Sequence, residues 1–191
     1  MSRRSVQIKA ILSMGILVGL GAVSTLAAWT GTATATSSIT AAKVSLGVGA
    51  TASGATSASY TVPLSSVNWY PGVSAAALVV VKNTSSVPLP YSIKGSITES
   101  GVVELGKAMA VVVKIGSTVS GTAPNATCSG GTTLITKAAG SAFGADVVRP
   151  VLAADASETF CVQYSLPTTA ANNLQGATTK LDLTFTGTVG S

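Results

Sequence analysis

The sequence contains no histidine, which removes the commonest general base and the commonest zinc ligand. Every catalytic arrangement that pairs serine or cysteine with histidine is therefore excluded. The sequence also has no P-loop and no Asp-rich calcium loop. We therefore predict that the protein is not an enzyme, with no catalytic residue, no cofactor and no dedicated metal site.

Acidic residues are few, and the closest useful pair is Asp155 and Glu158. This pair lies just ahead of the segment that contains Cys161, and two nearby carboxylates can contribute to a weak calcium site. The alternative is a solvated loop without a ligand. We favour the loop.

Charge of either sign is scarce, since only 9% of the residues are charged while 47% are hydrophobic. This composition excludes a chain that is disordered through high charge and low hydrophobicity. The formal charge of +5 is concentrated at Arg3, Arg4 and Lys9; the remaining eight basic and six acidic residues sum to +2 and are scattered. Nucleic-acid binding requires clustered basic residues, so we predict no nucleic-acid partner.

The first 27 residues have the pattern of a secretory signal. Residues 1–9 are polar and positive, residues 10–26 are almost wholly apolar, and small residues follow at Thr25, Ala27 and Ala28. We predict a signal helix that signal peptidase cleaves between Ala27 and Ala28, which leaves 164 residues (191 − 27). The alternative is an uncleaved membrane anchor. We predict that the protein contacts the membrane only through this signal segment. Once the segment is cleaved, the protein is secreted.

The only two cysteines are Cys128 and Cys161, and a pair in an exported chain favours one disulfide. Cys161 lies in an alternating segment in which Phe160, Val162 and Tyr164 face the core, so Cys161 is expected on the outer face beside Gln163. A disulfide would hold the turn-rich stretch around Cys128 onto the sheet. A redox or nucleophilic cysteine would require an activating base or a CxxC motif, and neither occurs.

Alternation of apolar and polar residues at period two recurs from residue 43 onward, with turn-forming residues between the apolar runs. We predict an all-β protein with a single β-sandwich, jelly-roll-like, over residues 43–191. Residues 75–81 are continuously apolar and are expected to be buried on both faces. Only residues 138–145 and 168–174 are expected to hold a short helix. The predicted strands centre on these apolar sets: Val44, Leu46 and Val48; Tyr60, Val62 and Leu64; residues 75–81; Tyr91, Ile93 and Ile97; Met109, Val111, Val113 and Ile115; Leu134 and Ile135; residues 160–164; Leu181, Leu183 and Phe185.

Residues 28–42 form an extension between the signal and the first predicted strand. Within it, Trp29, Gly31, Ala33 and Ala35 alternate with four threonines. A segment with one face of mostly small residues can add to the open edge of a sheet. The alternative is a flexible leader without a binding role.

Several of these features together resemble a known family. The chain is similar to bacterial exported proteins with the SipW-dependent, alternate type of signal peptide, the TasA- and camelysin-like biofilm-matrix fibre family, in its actinobacterial form. The residues that carry the resemblance are Arg3-Arg4, the glycine-rich stretch 15–21, Ala27-Ala28-Trp29, Lys43-Val44-Ser45-Leu46, Tyr70-Pro71-Gly72 with residues 79–91, and residues 160–167 with 175–185.

The resemblance implies a jelly-roll subunit of extracellular fibres or biofilm matrix, at or beyond the surface of a bacterium. It also implies self-association, in which an N-terminal strand is donated to a neighbouring copy. The competing interpretation is a monomeric secreted or cell-surface module that binds carbohydrate or another wall component.

Overall fold

Two antiparallel β-sheets account for most of the regular structure in the computed structural model, which describes residues 7–12, 14, 37–63, 68–144 and 146–189. The Val- and Thr-rich alternating runs form these strands because β-branched side chains fit a pleated, half-buried surface. The elements are β1 (Leu46–Gly49), β2 (Ser74–Asn83), β3 (Leu89–Glu99), α1 (Leu105–Ala108), β4 (Ala110–Ile115), β5 (Thr118–Ser120), β6 (Thr127–Ser129), β7 (Thr132–Lys137), β8 (Asp146–Leu152), β9 (Ser157–Ser165), a 3-10 turn (Asn172–Leu174) and β10 (Thr179–Gly187).

The larger sheet has five strands in the order β1-β2-β9-β4-β7, and the smaller sheet has three in the order β10-β3-β8. All pairings between neighbours in both sheets are antiparallel. Strands β5 and β6 form a separate hairpin. The prediction of an all-β sandwich is confirmed.

The core lies between the inner faces of the two sheets. Alternate residues of β2, β4 and β9 contribute from the larger sheet, and Tyr91 and Ile93 of β3 contribute from the smaller one. The largest fully buried side chain is that of Phe160. All of these residues belong to the compact unit Ala41–Ser191, so this unit carries its own hydrophobic core.

One end of the sandwich is fixed by the side chain of Asn83, which is fully buried. Its amide nitrogen donates to the carbonyl oxygens of Val87 and Leu152, both at 2.9 Å, and its oxygen accepts from the backbone N–H of Ser85 at 2.9 Å. A buried amide with these partners costs little, whereas an unpaired one would be expensive. Asn83 thereby joins the β2–β3 turn to the end of β8.

Several local predictions differ from the structure. The run that begins at Tyr60 and Val62 forms no strand in its described part, residues 58–63, although both side chains pack against the core. Pro63 has no backbone N–H, which disfavours regular pairing there. Val44 precedes β1 and is 41% exposed. Residues 75–81 are also less enclosed than predicted, because Leu78 is 37% exposed on the outer face.

The helix predictions were partly wrong. Residues 138–144 form a turn without a helix, and within 168–174 only Asn172–Leu174 forms a 3-10 turn. Helix α1 was not predicted, because one helical turn is too short to show a period of 3.6. Its Gly106 lies so close to Thr179 and Ile97 that a side chain at this position would collide with both.

The N-terminal segment is helical at residues 7–12 and at Met14. Across the residues that the structure describes, no helix is both long and apolar enough to span a membrane. The predicted cleavage point at Ala27 and Ala28 and the predicted assembly strand at residues 28–36 lie outside the described residues.

Candidate functional site

A cavity of about 670 Å³ opens at the side of the sandwich where β1 and β10 form the edges of the two sheets. The cavity exists because these edges differ in length. Strand β1 has four residues and β10 has nine, so at about 3.3 Å per residue β1 covers less than half of the length of β10. Strand β1 therefore leaves part of the β10 edge uncovered, and Leu46 and Val48 of β1 line the cavity together with β10.

Strand β10 is an unpaired edge along this cavity. All nine of its residues pair with β3 on one side, and no described strand pairs with it on the other. Seven consecutive residues of β10, 179–185, line the cavity. Because successive side chains point to opposite faces of a strand, only a cavity that runs along the backbone edge meets all seven. Backbone N–H and C=O groups that point away from β3 are thus available for pairing.

The walls of the cavity are mostly apolar. Leu181, Leu183 and Phe185 of β10 pack against the core, and the ring centroid of Phe185 lies 5.9 Å from that of Phe160. The opposite walls come from β1, the segment 58–62 with Trp69, the region of α1, and one residue each of β2 and β9. Their apolar lining residues are Leu46, Val48, Tyr60, Val62, Trp69, Val79, Leu105, Met109 and Tyr164.

Polar side chains also line the cavity, among them an ion pair of β10. Lys180 and Asp182 form an ion pair of 3.0 Å whose side chains are 73% and 37% exposed. Burial, together with the negative charge of Asp182, raises the pKa of Tyr164 to about 12. An apolar channel beside an unpaired strand edge is suited to an extended peptide, which would supply both backbone hydrogen bonds and small or apolar side chains.

The two cysteines are joined on the other side of the larger sheet. Cys128 and Cys161 form a disulfide with a Cα–Cα distance of 5.8 Å, as predicted. Cys161 lies on the outer face of β9 together with Gln163, whose side-chain oxygen accepts from the backbone N–H of Cys128 at 2.9 Å. The hairpin of β5 and β6 is thereby held onto the outer face of β2 and β9.

The prediction of a solvated loop is wrong for Glu158. It lies on β9, points between the two sheets, and pairs with Arg149 at 3.0 Å while it accepts a hydrogen bond from the Tyr91 hydroxyl. Burial of Tyr91, reinforced by this bond, raises its pKa. Asp155 has a side chain that is 85% exposed and lies 3.9 Å from Lys82. Glu158 thus joins the two sheets.

A buried cation lies near α1, where the Nζ of Lys137 donates to the carbonyl oxygens of Lys107, Met109 and Ala138. Burial lowers the pKa of this amine. Lys137 fixes the end of α1, and with it the position of Met109 at the cavity wall. No group of three or more His, Cys, Asp or Glu side chains with metal-binding geometry occurs in the described ranges.

No protein-family model matches the chain, and no curated protein matches it.

Proposed function

We propose that the protein is an exported structural subunit that assembles head to tail, with residues 28–36 of one copy inserted beside β10 of the next. The observation that supports this proposal is the open edge of β10 along an apolar cavity. Such an edge is a template for pairing with another chain. A contact between a donor segment of one copy and an acceptor edge of the next is heterologous. Such a contact propagates into a filament when it does not close into a ring.

The sequence of the donor segment suits this acceptor. Residues 28–36 number nine, as do the residues of β10. On one face the segment carries Trp29, Gly31, Ala33 and Ala35, so small side chains would allow its backbone to approach the edge, and one large aromatic side chain would anchor it. The opposite face carries Ala28 and four threonines, and the threonines suit a solvated surface.

Export is supported by two independent features. The basic, apolar and small-residue pattern of residues 1–28 is typical of a secretory signal. The disulfide between Cys128 and Cys161 requires an oxidising compartment to persist. The resemblance to SipW-dependent fibre proteins supports the same location, a bacterial surface or matrix.

The test compares residues 28–191 with residues 37–191 by size-exclusion chromatography and negative-stain electron microscopy. We expect fibres from the longer form and a folded monomer from the shorter, because the core lies within Ala41–Ser191. Trp29→Ala should weaken assembly, whereas the matched control Thr30→Ala, on the opposite face of the segment, should not.

Two outcomes would overturn the proposal. Fibres formed by residues 37–191 would exclude the donor segment. A form 28–191 that stays monomeric at all concentrations would instead favour the secreted binding module.

A further inference from the structure

Residues 58–62, here called the strip, occupy the cavity wall in an unusual way. Tyr60 and Val62 are half-buried and pack against the core, while Ser59 before them and Thr61 between them are exposed. This alternation is that of a strand. Yet none of the residues 58–63 makes a hydrogen bond to any part of the chain that the structure describes.

The strip therefore makes only one of the two kinds of contact that the cavity offers. Its side chains cover apolar surface, but its backbone leaves the edge of β10 unpaired. The strip begins directly after a fixed point, where the backbone N–H of Val48 donates to the carbonyl oxygen of Ser57 at 2.8 Å. Pro63, which directly follows the strip, cannot donate a backbone hydrogen bond. This disfavours extension of the strip into a regular strand.

We infer that the strip is an intramolecular placeholder, which covers the cavity in the free subunit and is displaced by residues 28–36 of a second copy. This inference rests on the proposed strand donation. The donor segment binds the cavity more tightly than the strip does, because it supplies both apolar side chains and the backbone hydrogen bonds that the strip lacks. Until it arrives, Tyr60 and Val62 shield apolar surface that would otherwise favour non-specific association.

A placeholder makes the strip a competitor of the donor, so weakening the strip must strengthen donor binding. The double variant Tyr60→Ser/Val62→Ser of residues 37–191 should bind a synthetic peptide of residues 28–36 about tenfold more tightly than the unmodified sequence, since two half-buried apolar side chains no longer compete. In residues 28–191 the same variant should shorten the lag before fibres form. The matched control is Ser59→Ala/Thr61→Ala, which changes the exposed residues of the same strip and should leave affinity and lag unchanged.

A second measurement uses the unmodified sequence, so it does not depend on the folding of the variant. Chymotrypsin cleaves after Tyr60 only when this side chain leaves the cavity. Adding the peptide to residues 37–191 should speed cleavage after Tyr60, while cleavage after Phe143, which is 6% exposed in the core, should stay slow.

The outcomes separate the two proposals. Peptide binding with faster cleavage after Tyr60 supports the placeholder. Peptide binding with unchanged or slower cleavage overturns the placeholder but leaves strand donation intact, since the donor then adds beside a strip that stays in place. The absence of peptide binding removes both proposals.

Discussion

The outer face of β9 and the free edge of β10 are two surfaces of one sandwich that are covered in different ways. At β9 the hairpin of β5 and β6 is fixed by a disulfide, by the bond from Cys128 to Gln163, and by the bond from the Lys114 amine to the carbonyl oxygen of Cys128 at 3.1 Å. At β10 the strip contributes apolar contacts without a hydrogen bond.

The difference supports the proposal that the surface beside β10 is the one that binds a second copy. A cover that is joined covalently and hydrogen-bonded is permanent, so the face of β9 serves stability. A cover held only by side-chain contacts is the kind of element that opens at low free-energy cost. We therefore assign the seam beside β10 to assembly, and the three predictions below test this division in order of decreasing effect.

The largest effect is expected in the core behind the seam. Phe160→Ala removes a fully buried side chain, which should lower the free energy of unfolding by about 3–5 kcal/mol. Phe185→Ala removes a half-buried side chain from the seam and should cost roughly half as much. Chemical denaturation monitored by circular dichroism measures both losses.

The same pair separates stability from assembly. Phe185→Ala should also weaken fibre formation under conditions where the subunit is fully folded, because Phe185 lines the acceptor cavity. Phe160→Ala should impair assembly only through unfolding. If the two variants impaired assembly equally under conditions where both are equally folded, the assignment of assembly to the seam beside β10 would be contradicted.

The disulfide gives the next effect. The double variant Cys128→Ala/Cys161→Ala should lose about 3–4 kcal/mol of unfolding free energy, the chain-entropy value for residues 33 apart in sequence. Fibre formation should persist wherever the variant remains folded, because the hairpin lies on a different surface from the seam. Reduction of the unmodified protein serves as the control, and loss of fibres from a folded, reduced subunit would show that the two surfaces are coupled.

The smallest effect is a dependence on alkaline pH. Because the folded pKa of Tyr164, about 12, lies above its ordinary value near 10, its contribution to stability is complete below pH 10 and is lost as the pH rises toward 12. The lowered pKa of Lys137 has the opposite effect, because it makes stability increase as the pH rises. The comparison between variants is therefore informative, whereas the overall slope of stability against pH is not.

Tyr164→Phe should reduce the loss of stability between pH 10 and 12, measured as the shift in the urea midpoint. The control Tyr70→Phe replaces a tyrosine that is 54% exposed and should leave the curve unchanged. An identical pH profile for Tyr164→Phe and the unmodified protein would show that this tyrosine does not contribute.

Patterns of period two predicted the parts of the fold in which one face of a strand is buried. The segments around Tyr91, Val111, Phe160 and Leu183 are strands with the predicted inward faces, and the outward position of Cys161 beside Gln163 followed from the same alternation. Strand β8 was missed, because Arg149 occupies an inward position where it pairs with Glu158. A charged residue at a core position hides the alternation.

The acceptor half of the candidate site could not be predicted from the sequence. The donor pattern at Trp29–Ala35 is local in sequence, whereas the acceptor depends on the short length of β1 relative to β10, which is a property of strand pairing. Tyr60 and Val62 showed the failure most clearly, because their alternation predicted a strand in a segment that makes no hydrogen bond within the described part of the chain. Local pattern reports which side chains are buried, not which backbone groups are paired.

Amide hydrogen exchange of β10 tests the central claim most directly, with β8 as the internal reference because it is the other edge of the same sheet. In the unassembled subunit, the β10 amides that point away from β3 should exchange rapidly. In fibres of residues 28–191 these amides should become protected, while the free-edge amides of β8 should exchange as before. Fibres in which the β10 edge exchanges as fast as in the free subunit would contradict the account.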